Sequence, residues 1–191
     1  MKKLVRILLI ALATCYKKLQ PHFDRALGVA SLRCIRARGV CCMLEGDGRV
    51  IDPECLELGD HIYIGRNFFI RATGGVRIGS YSHISRNVTI HTVNHNVNGV
   101  TLPYDRVDVA KRISIGRYVW IGMNCSILPG VTIGDGAVIG MNTVVTKDVA
   151  PGAIVVGAAQ RVVGQRDPAA TEELEKNNMF LLIENGWASH G

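Results

Sequence analysis

Between residues 112 and 149 an apolar side chain returns at every sixth position. Ile115, Ile121, Ile127, Ile133, Ile139 and Val145 head successive hexads, and Gly follows the aliphatic in four of these six. The fifth place of each hexad is small or medium and uncharged: Val119, Cys125, Val131, Ala137, Thr143 and Val149. A register of six held this long belongs neither to a 3.6-residue helix nor to a period-two strand. It marks a solenoid, in which each coil buries its inward residues against the coils on either side. The pattern predicts an all-β solenoid over residues 51–163.

The same register opens the solenoid less regularly. Leu58, Ile64 and Ile70 are followed by Ile78, Ile84 and Ile90, and the step across Thr73-Gly74-Gly75 is eight residues instead of six. That step reads as a two-residue corner insertion. Residues 92–112 then lose the register altogether, and they carry Asn94-His95-Asn96 and Leu102-Pro103-Tyr104-Asp105. A long loop ejected from an otherwise regular scaffold is a preferred place for function.

The two ends are of another kind. Residues 1–50 form a basic and apolar arm, expected to be partly helical and irregular beyond residue 20. Its apolar run from Leu4 to Ala13, with Arg6 inside, is too short to span a bilayer. Two placements fit: an amphipathic helix lying on a membrane surface, or a helix capping the first coil. Residues 164–191 read as a C-terminal helix and tail. Asp167-Pro168 supplies a helix start, Leu174, Phe180, Leu181 and Ile183 an apolar stripe, and Gly186 a stop. Such a helix is expected to cover the open edge of the solenoid.

Composition sharpens this picture in three places. Aromatic residues make up only 6% of the chain while Gly numbers 21, which suits tightly turned coils. The formal net charge of +6 is concentrated in residues 1–40, where Asp24 is the sole acid among nine Lys and Arg. A charge excess confined to one arm points to an anionic neighbour such as a membrane surface. Nucleic acid is not expected, because the arm offers only Tyr16 and Phe23 as aromatics and no recognisable module. The six Cys contain no C-x-x-C pair, so neither a zinc knuckle nor a disulfide lattice is written here. Cys125 occupies an inward hexad position and is expected in the core. Reduced thiols suit a cytoplasmic location.

The runs Ile-Gly-Arg-Tyr-Val-Trp-Ile-Gly (115–122), Ile-Leu-Pro-Gly-Val-Thr-Ile-Gly-Asp-Gly-Ala-Val-Ile-Gly (127–140) and Thr-Val-Val-Thr-Lys-Asp-Val (143–149) resemble the hexapeptide-repeat acyltransferases. The likeness is greatest to the sugar and polysaccharide O-acetyltransferases, and it covers about residues 58–163. It implies a left-handed parallel β-helix of triangular section, a homotrimer, and acetyl-coenzyme A bound between neighbouring prisms as acyl donor. No metal is implied. The family's catalytic His maps onto His95, which would act as general base on a sugar hydroxyl. Trp120, Met123, Met141, Thr146, Lys147 and Arg161 map onto the coenzyme groove. Arg71, Asn94, Tyr104 and Asp105 are the candidates for the acceptor. The sequence departs from the family at Met123 and Met141, where small residues are common, and at Ala158-Ala159 and Arg71. It also lacks the acidic helical N-terminus of the maltose and galactoside enzymes. The basic arm therefore favours a glycan assembled at the inner face of a membrane, met peripherally through residues 1–20. Three alternatives stay open on sequence: a metal hydratase like the γ-class carbonic anhydrases, built on His91 and His95; N-acetylation of an amino sugar; and a non-catalytic trimeric scaffold.

Overall fold

The computed structural model describes residues 2–35, 37–97, 104, 106–157, 161–165 and 167–178. Helix α1 (Lys2–Cys34) leads directly into the solenoid. The first coil is β1 (Ala37–Arg38), β2 (Met43–Leu44) and β3 (Arg49–Ile51). The second is β4 (Leu56–Leu58), β5 (Tyr63–Ile64) and β6 (Phe69–Arg71), and the third β7 (Val76–Ile78), β8 (His83–Ile84) and β9 (Thr89–His91). A hairpin, β10 (Val93–His95) and β11 (Asp108–Ala110), stands between the third and fourth coils. The fourth coil is β12 (Ile113–Ile115), β13 (Trp120–Ile121) and β14 (Ser126–Ile127), and the fifth β15 (Thr132–Ile133), β16 (Val138–Ile139) and β17 (Val144–Val145). After it come β18 (Ala153–Val156), β19 (Arg161–Gln165) and helix α2 (Pro168–Lys176).

Apart from β19, which is antiparallel, the strands of the coils stack in parallel into three faces. The first runs β1-β4-β7-β12-β15, the second β2-β5-β8-β13-β16-β18-β19, and the third β3-β6-β9-β14-β17. The register explains the hexads. Leu44, Ile64, Ile84, Ile121, Ile139 and Val155 align along the inside of the second face, and none is more than 3% exposed. Each aliphatic thus lies one strand spacing, about 4.8 Å, from its equivalents above and below. Leu58 pairs with Ile78 at an interval of 20 residues, and Ile115 with Ile133 at 18. The two extra residues of the early coils fall at the corner between the third and first faces, around Thr73-Gly74 and at the 3₁₀ turn Pro53–Cys55. The eight-residue step in the sequence is this corner.

Coil corners turn on left-handed residues. Asn67, Asn87, Asn124 and Asn142 have φ near 60° at one corner, where the short amide side chain tolerates that conformation. Asn87 Nδ2 donates to Asn124 Oδ1 at 2.9 Å, tying adjacent coils. The Gly of the hexad is required by proximity: a methyl at Gly122 would stand 2.7 Å from the Met141 amide nitrogen. Of the inward polar side chains, the Thr143 hydroxyl is fully buried with no hydrogen-bond partner among the described residues, whereas Ser82 is paired. Ser82 Oγ donates to the Gly116 carbonyl at 2.9 Å and accepts from the Val119 amide at 3.1 Å. Cys125 is fully buried, and that burial raises its thiol pKa, so it is a packing residue.

The ends differ from the sequence reading. The solenoid begins at Ala37 and not at 51, and α1 continues unbroken through Pro21 to Cys34, where an irregular stretch was expected. The first coil escaped notice because Arg38 stands in register with Leu58, where later coils have an aliphatic. A terminal coil has a neighbour on one side only, and here α1 supplies the cover. Leu32 and Ile35 are buried, and Gly28 lies against the Leu44 carbonyl with no room for a side chain. Asp24 meets Arg66 at 3.3 Å, and Arg66 reaches Glu45 at 3.0 Å. Tyr63 donates its hydroxyl to the same Glu45 carboxylate at 2.6 Å. At the far end, the solenoid edge is covered by β19, antiparallel on β18. Helix α2, capped by Asp167 accepting from the Ala169 amide, lies instead against the fourth coil: Arg117 and the Tyr118 hydroxyl both bind Glu175. Leu174 is exposed, while Phe180, Leu181, Ile183 and Gly186 lie outside the described residues. No described helix is long and apolar enough to cross a membrane.

The cluster under α1 makes stability depend on pH. Burial would raise the Glu45 carboxyl pKa, but hydrogen bonds from Tyr63 and Arg66, with the Arg66 charge, hold it below its ordinary 4.5. A carboxylate depressed in the folded state contributes stability that is complete above its unfolded pKa and lost as pH falls through the folded one. Glu45→Gln should therefore lower the melting temperature at pH 7. The gap to the parent should close as pH drops below about 4.5, as thermal melts across pH would record.

Candidate active site

The hairpin is rooted by one buried side chain. Thr92, fully buried, donates through Oγ1 to the Arg71 carbonyl at 2.6 Å and accepts from the Gly74 amide at 2.9 Å. Its own carbonyl accepts from the Lys111 amide at 2.8 Å, closing the base of the loop. Val93, also buried, anchors β10, while Asn94 and His95 beyond it are exposed. Antiparallel pairing then sets His95 opposite Asp108.

That pairing builds a compact group. His95 Nδ1 lies 3.7 Å from Asp108 Oδ1, a charge contact longer than a hydrogen bond. The other carboxylate oxygen, Oδ2, accepts from Arg71 Nη2 at 2.7 Å. Arg71 projects from the third face of the prism, so the rigid scaffold holds Asp108, and Asp108 faces the imidazole. The Tyr104 ring stacks on His95 with centroids 3.8 Å apart and planes within 5°. The His95 side chain remains 49% exposed, open to a substrate on the face away from Tyr104. Nδ1 is thus the ring nitrogen turned toward the carboxylate.

The structure brings together His95, Tyr104 and Arg71 from the sequence candidates. Asn94 is next in line on β10, paired with Val109, and Asp105 lies outside the described residues. Of the coenzyme candidates, Thr146 and Lys147 share the hairpin's corner two coils further along, and the others lie elsewhere on the prism. Trp120 is 52% exposed on the second face, beside His83 in the neighbouring coil. Met123 and Met141 occupy equivalent corners of the fourth and fifth coils, after the second face. Thr146 and Lys147 are exposed at the corner leaving the third face. Arg161 opens β19, and its side chain is outside the described residues. His91 packs its ring on Phe69 at 6.0 Å and stands beside Arg71 in the β6–β9 register. Among the described residues no cluster of His, Cys, Asp or Glu has the arrangement of a metal site. Asp108 is the residue that sequence reasoning missed. Only the hairpin register, which no hexad announces, sets it across from His95.

With this geometry in view, comparison with known proteins is informative. Residues 112–147 match the family described as bacterial transferase hexapeptide (six repeats). Galactoside O-acetyltransferase of Escherichia coli K12 is 38% identical over 123 residues, covering 58% of this chain and 57% of that protein. A putative acetyltransferase of Schizosaccharomyces pombe is 32% identical over 117 residues. The chain spans little more than half the length of these curated relatives. Among solved structures, a hexapeptide-repeat-containing acetyltransferase from Vibrio cholerae superposes with a TM-score of 0.68 at 24% identity, covering 82% of this chain and 92% of that one. That protein is also known complexed with acetyl coenzyme A. A maltose O-acetyltransferase from Clostridium difficile 630 gives a TM-score of 0.64 at 26% identity over 84% of this chain and 89% of that one. Fold and repeat together define a hexapeptide-repeat β-helix. Residues 112–147 carry the hexapeptide repeat, and the solenoid as a whole superposes on those of hexapeptide-repeat acetyltransferases.

Proposed function

We propose that the protein transfers an acetyl group from acetyl-coenzyme A to a hydroxyl of a sugar, in a surface polysaccharide or its lipid-linked precursor. The observation that carries this reading is the His95–Asp108–Arg71 chain, open to solvent beside Tyr104. A sugar hydroxyl is a weak nucleophile at neutral pH and gains most from a base in contact with its proton. His95 Nε2 takes that proton as the oxygen bonds to the thioester carbonyl carbon. The carbon–sulfur bond then breaks, and the coenzyme leaves as a thiol after receiving a proton from the imidazolium. Asp108 is a positioning residue: it holds the ring with Nδ1–H inward and steadies the transient positive charge. Arg71 acts through Asp108 and not on the acceptor, while Tyr104 and Asn94 border the space an acceptor would enter.

The coenzyme would lie along Trp120, Met123, Met141, Thr146, Lys147 and Arg161, as the family resemblance implies. Trp120, Met123 and Met141 lie on other parts of the prism than His95, and Thr146 and Lys147 lie two coils beyond it along the same corner. A homotrimer, with the groove between adjacent copies, would bring them together. The relatives named galactoside and maltose O-acetyltransferase support hydroxyl transfer to a sugar.

His95→Ala should lower turnover by about two to four orders of magnitude with acetyl-coenzyme A binding intact. Asp108→Asn should lower kcat roughly 10- to 100-fold, less than loss of the base itself, and alter the pH–rate profile at unchanged KM for the coenzyme. Near-normal turnover of His95→Ala on the true acceptor would remove His95 as the base.

Lys147→Ala should raise KM for acetyl-coenzyme A more than it lowers kcat, because its assigned contact is to phosphate in the ground state. The difference from the parent should shrink in high salt. Steady-state kinetics at two salt concentrations provide the check.

A further inference from the structure

Helix α1 presents a surface that neither the solenoid nor the proposed chemistry uses. It docks on the first coil through one side only. Asp24 reaches Arg66, Gly28 lies on the Leu44 carbonyl, and Leu32 is 7% exposed, each one turn beyond the last. The opposite side carries Val5, Leu9, Leu12, Tyr16, Leu19 and Phe23, all between 46% and 62% exposed. Their spacing alternates four and three residues without a slip, and exposed Ala26 and Ala30 continue it. A mean repeat of 3.5 is the one that keeps an apolar seam turned toward another helix. A continuous stripe of large side chains is also costly to leave in water.

We propose that α1 pairs along this seam with α1 of further copies of this chain, parallel and in register. Two features favour a second helix over a lipid surface as the occupant. Of the positions flanking the seam Arg6 alone is a Lys or Arg, and the others include Ala13, Cys15, Gln20 and His22, so copies meet without a wall of like charges. The cations Lys17, Lys18 and Arg25 sit about 130° round the helix from the seam centre. A leaflet seated on the stripe would leave them pointing away from its headgroups, whereas interfacial helices place cations where they reach the anionic surface. Pro21 lies on the side farthest from the seam, where its missing N–H does not disturb the contact. The parallel order rests on the side-by-side trimer proposed above, since each α1 is fixed at its C-terminal end to its own first coil.

Cysteine cross-linking of the full chain tests this. In a Cys15→Ser background, Leu12→Cys and Leu19→Cys place a thiol on the seam, while Ile10→Cys and Lys18→Cys place one off it. Leu12 and Ile10 are both 58% exposed, so simple accessibility does not separate them. Under mild oxidation the seam variants should form interchain disulfides at least about tenfold faster than their off-seam partners, because only there can the Cα atoms approach within bonding range. Equal rates, or no interchain disulfide, would overturn the proposal. Light scattering on the unoxidised variants reports the assembly separately: a trimer that fails to cross-link at Leu12 and Leu19 sinks the seam and spares the trimer. An environment-sensitive dye on Leu12→Cys that leaves water only when phosphatidylserine vesicles are added would assign the stripe to a membrane and also overturn the seam.

Discussion

The structure depends on aliphatic side chains stacked in columns inside a three-sided prism. Each Ile at a hexad head touches its equivalents one coil above and below, and adjacent backbones hydrogen-bond at that same spacing. Both contacts fix the coil length together. A hexad with a charged head leaves a hole in the column, and a bulky residue after it collides with the next coil, as at Gly122. Stability in such a solenoid is the sum of repeats and of the contacts between neighbours. Its open ends therefore need separate cover, which α1 and β19 provide.

The candidate site lies where this constraint is relaxed. The corner between the third and first faces tolerates extra residues: a 3₁₀ turn in one coil, Thr73-Gly74 in the next, and then the hairpin. Lys111 stacks over Gly74 and beneath Gly130, so the column of corners continues past the ejected loop. The prism can extrude a loop there without disturbing its interior, because strand register resumes at Ile113 opposite Val76. Arg71 then links the loop's acid to the scaffold, giving His95 a position that an unsupported loop would lack.

How far the sequence could be read follows from the same physics. Interior columns repeat in the chain, so the β-helix and its two-residue corner are visible in the positions of Ile70 and Ile78. His95 is visible because it interrupts that regularity within a recognisable signature. The first coil is hidden by Arg38, since a capped end need not keep the aliphatic rule. Asp108 is hidden because a hairpin register carries no periodic mark. The placement of α2 against Arg117 and Tyr118 depends on side chains far apart in sequence. Trp120 and Lys147 were named by resemblance; a single chain leaves Trp120 on the second face, and Lys147 two coils beyond the His95 hairpin along the same corner.

The central claim is acetyl transfer to a sugar hydroxyl at His95. Its most direct test is incubation of the full chain with acetyl-coenzyme A and a panel of glycan acceptors, following thiol release and the acetylated product by mass spectrometry. The account predicts thiol release matched by an alkali-labile acetyl ester on one acceptor class. Thiol release without product, no transfer to any hydroxyl acceptor, or an alkali-stable acetamide would contradict it.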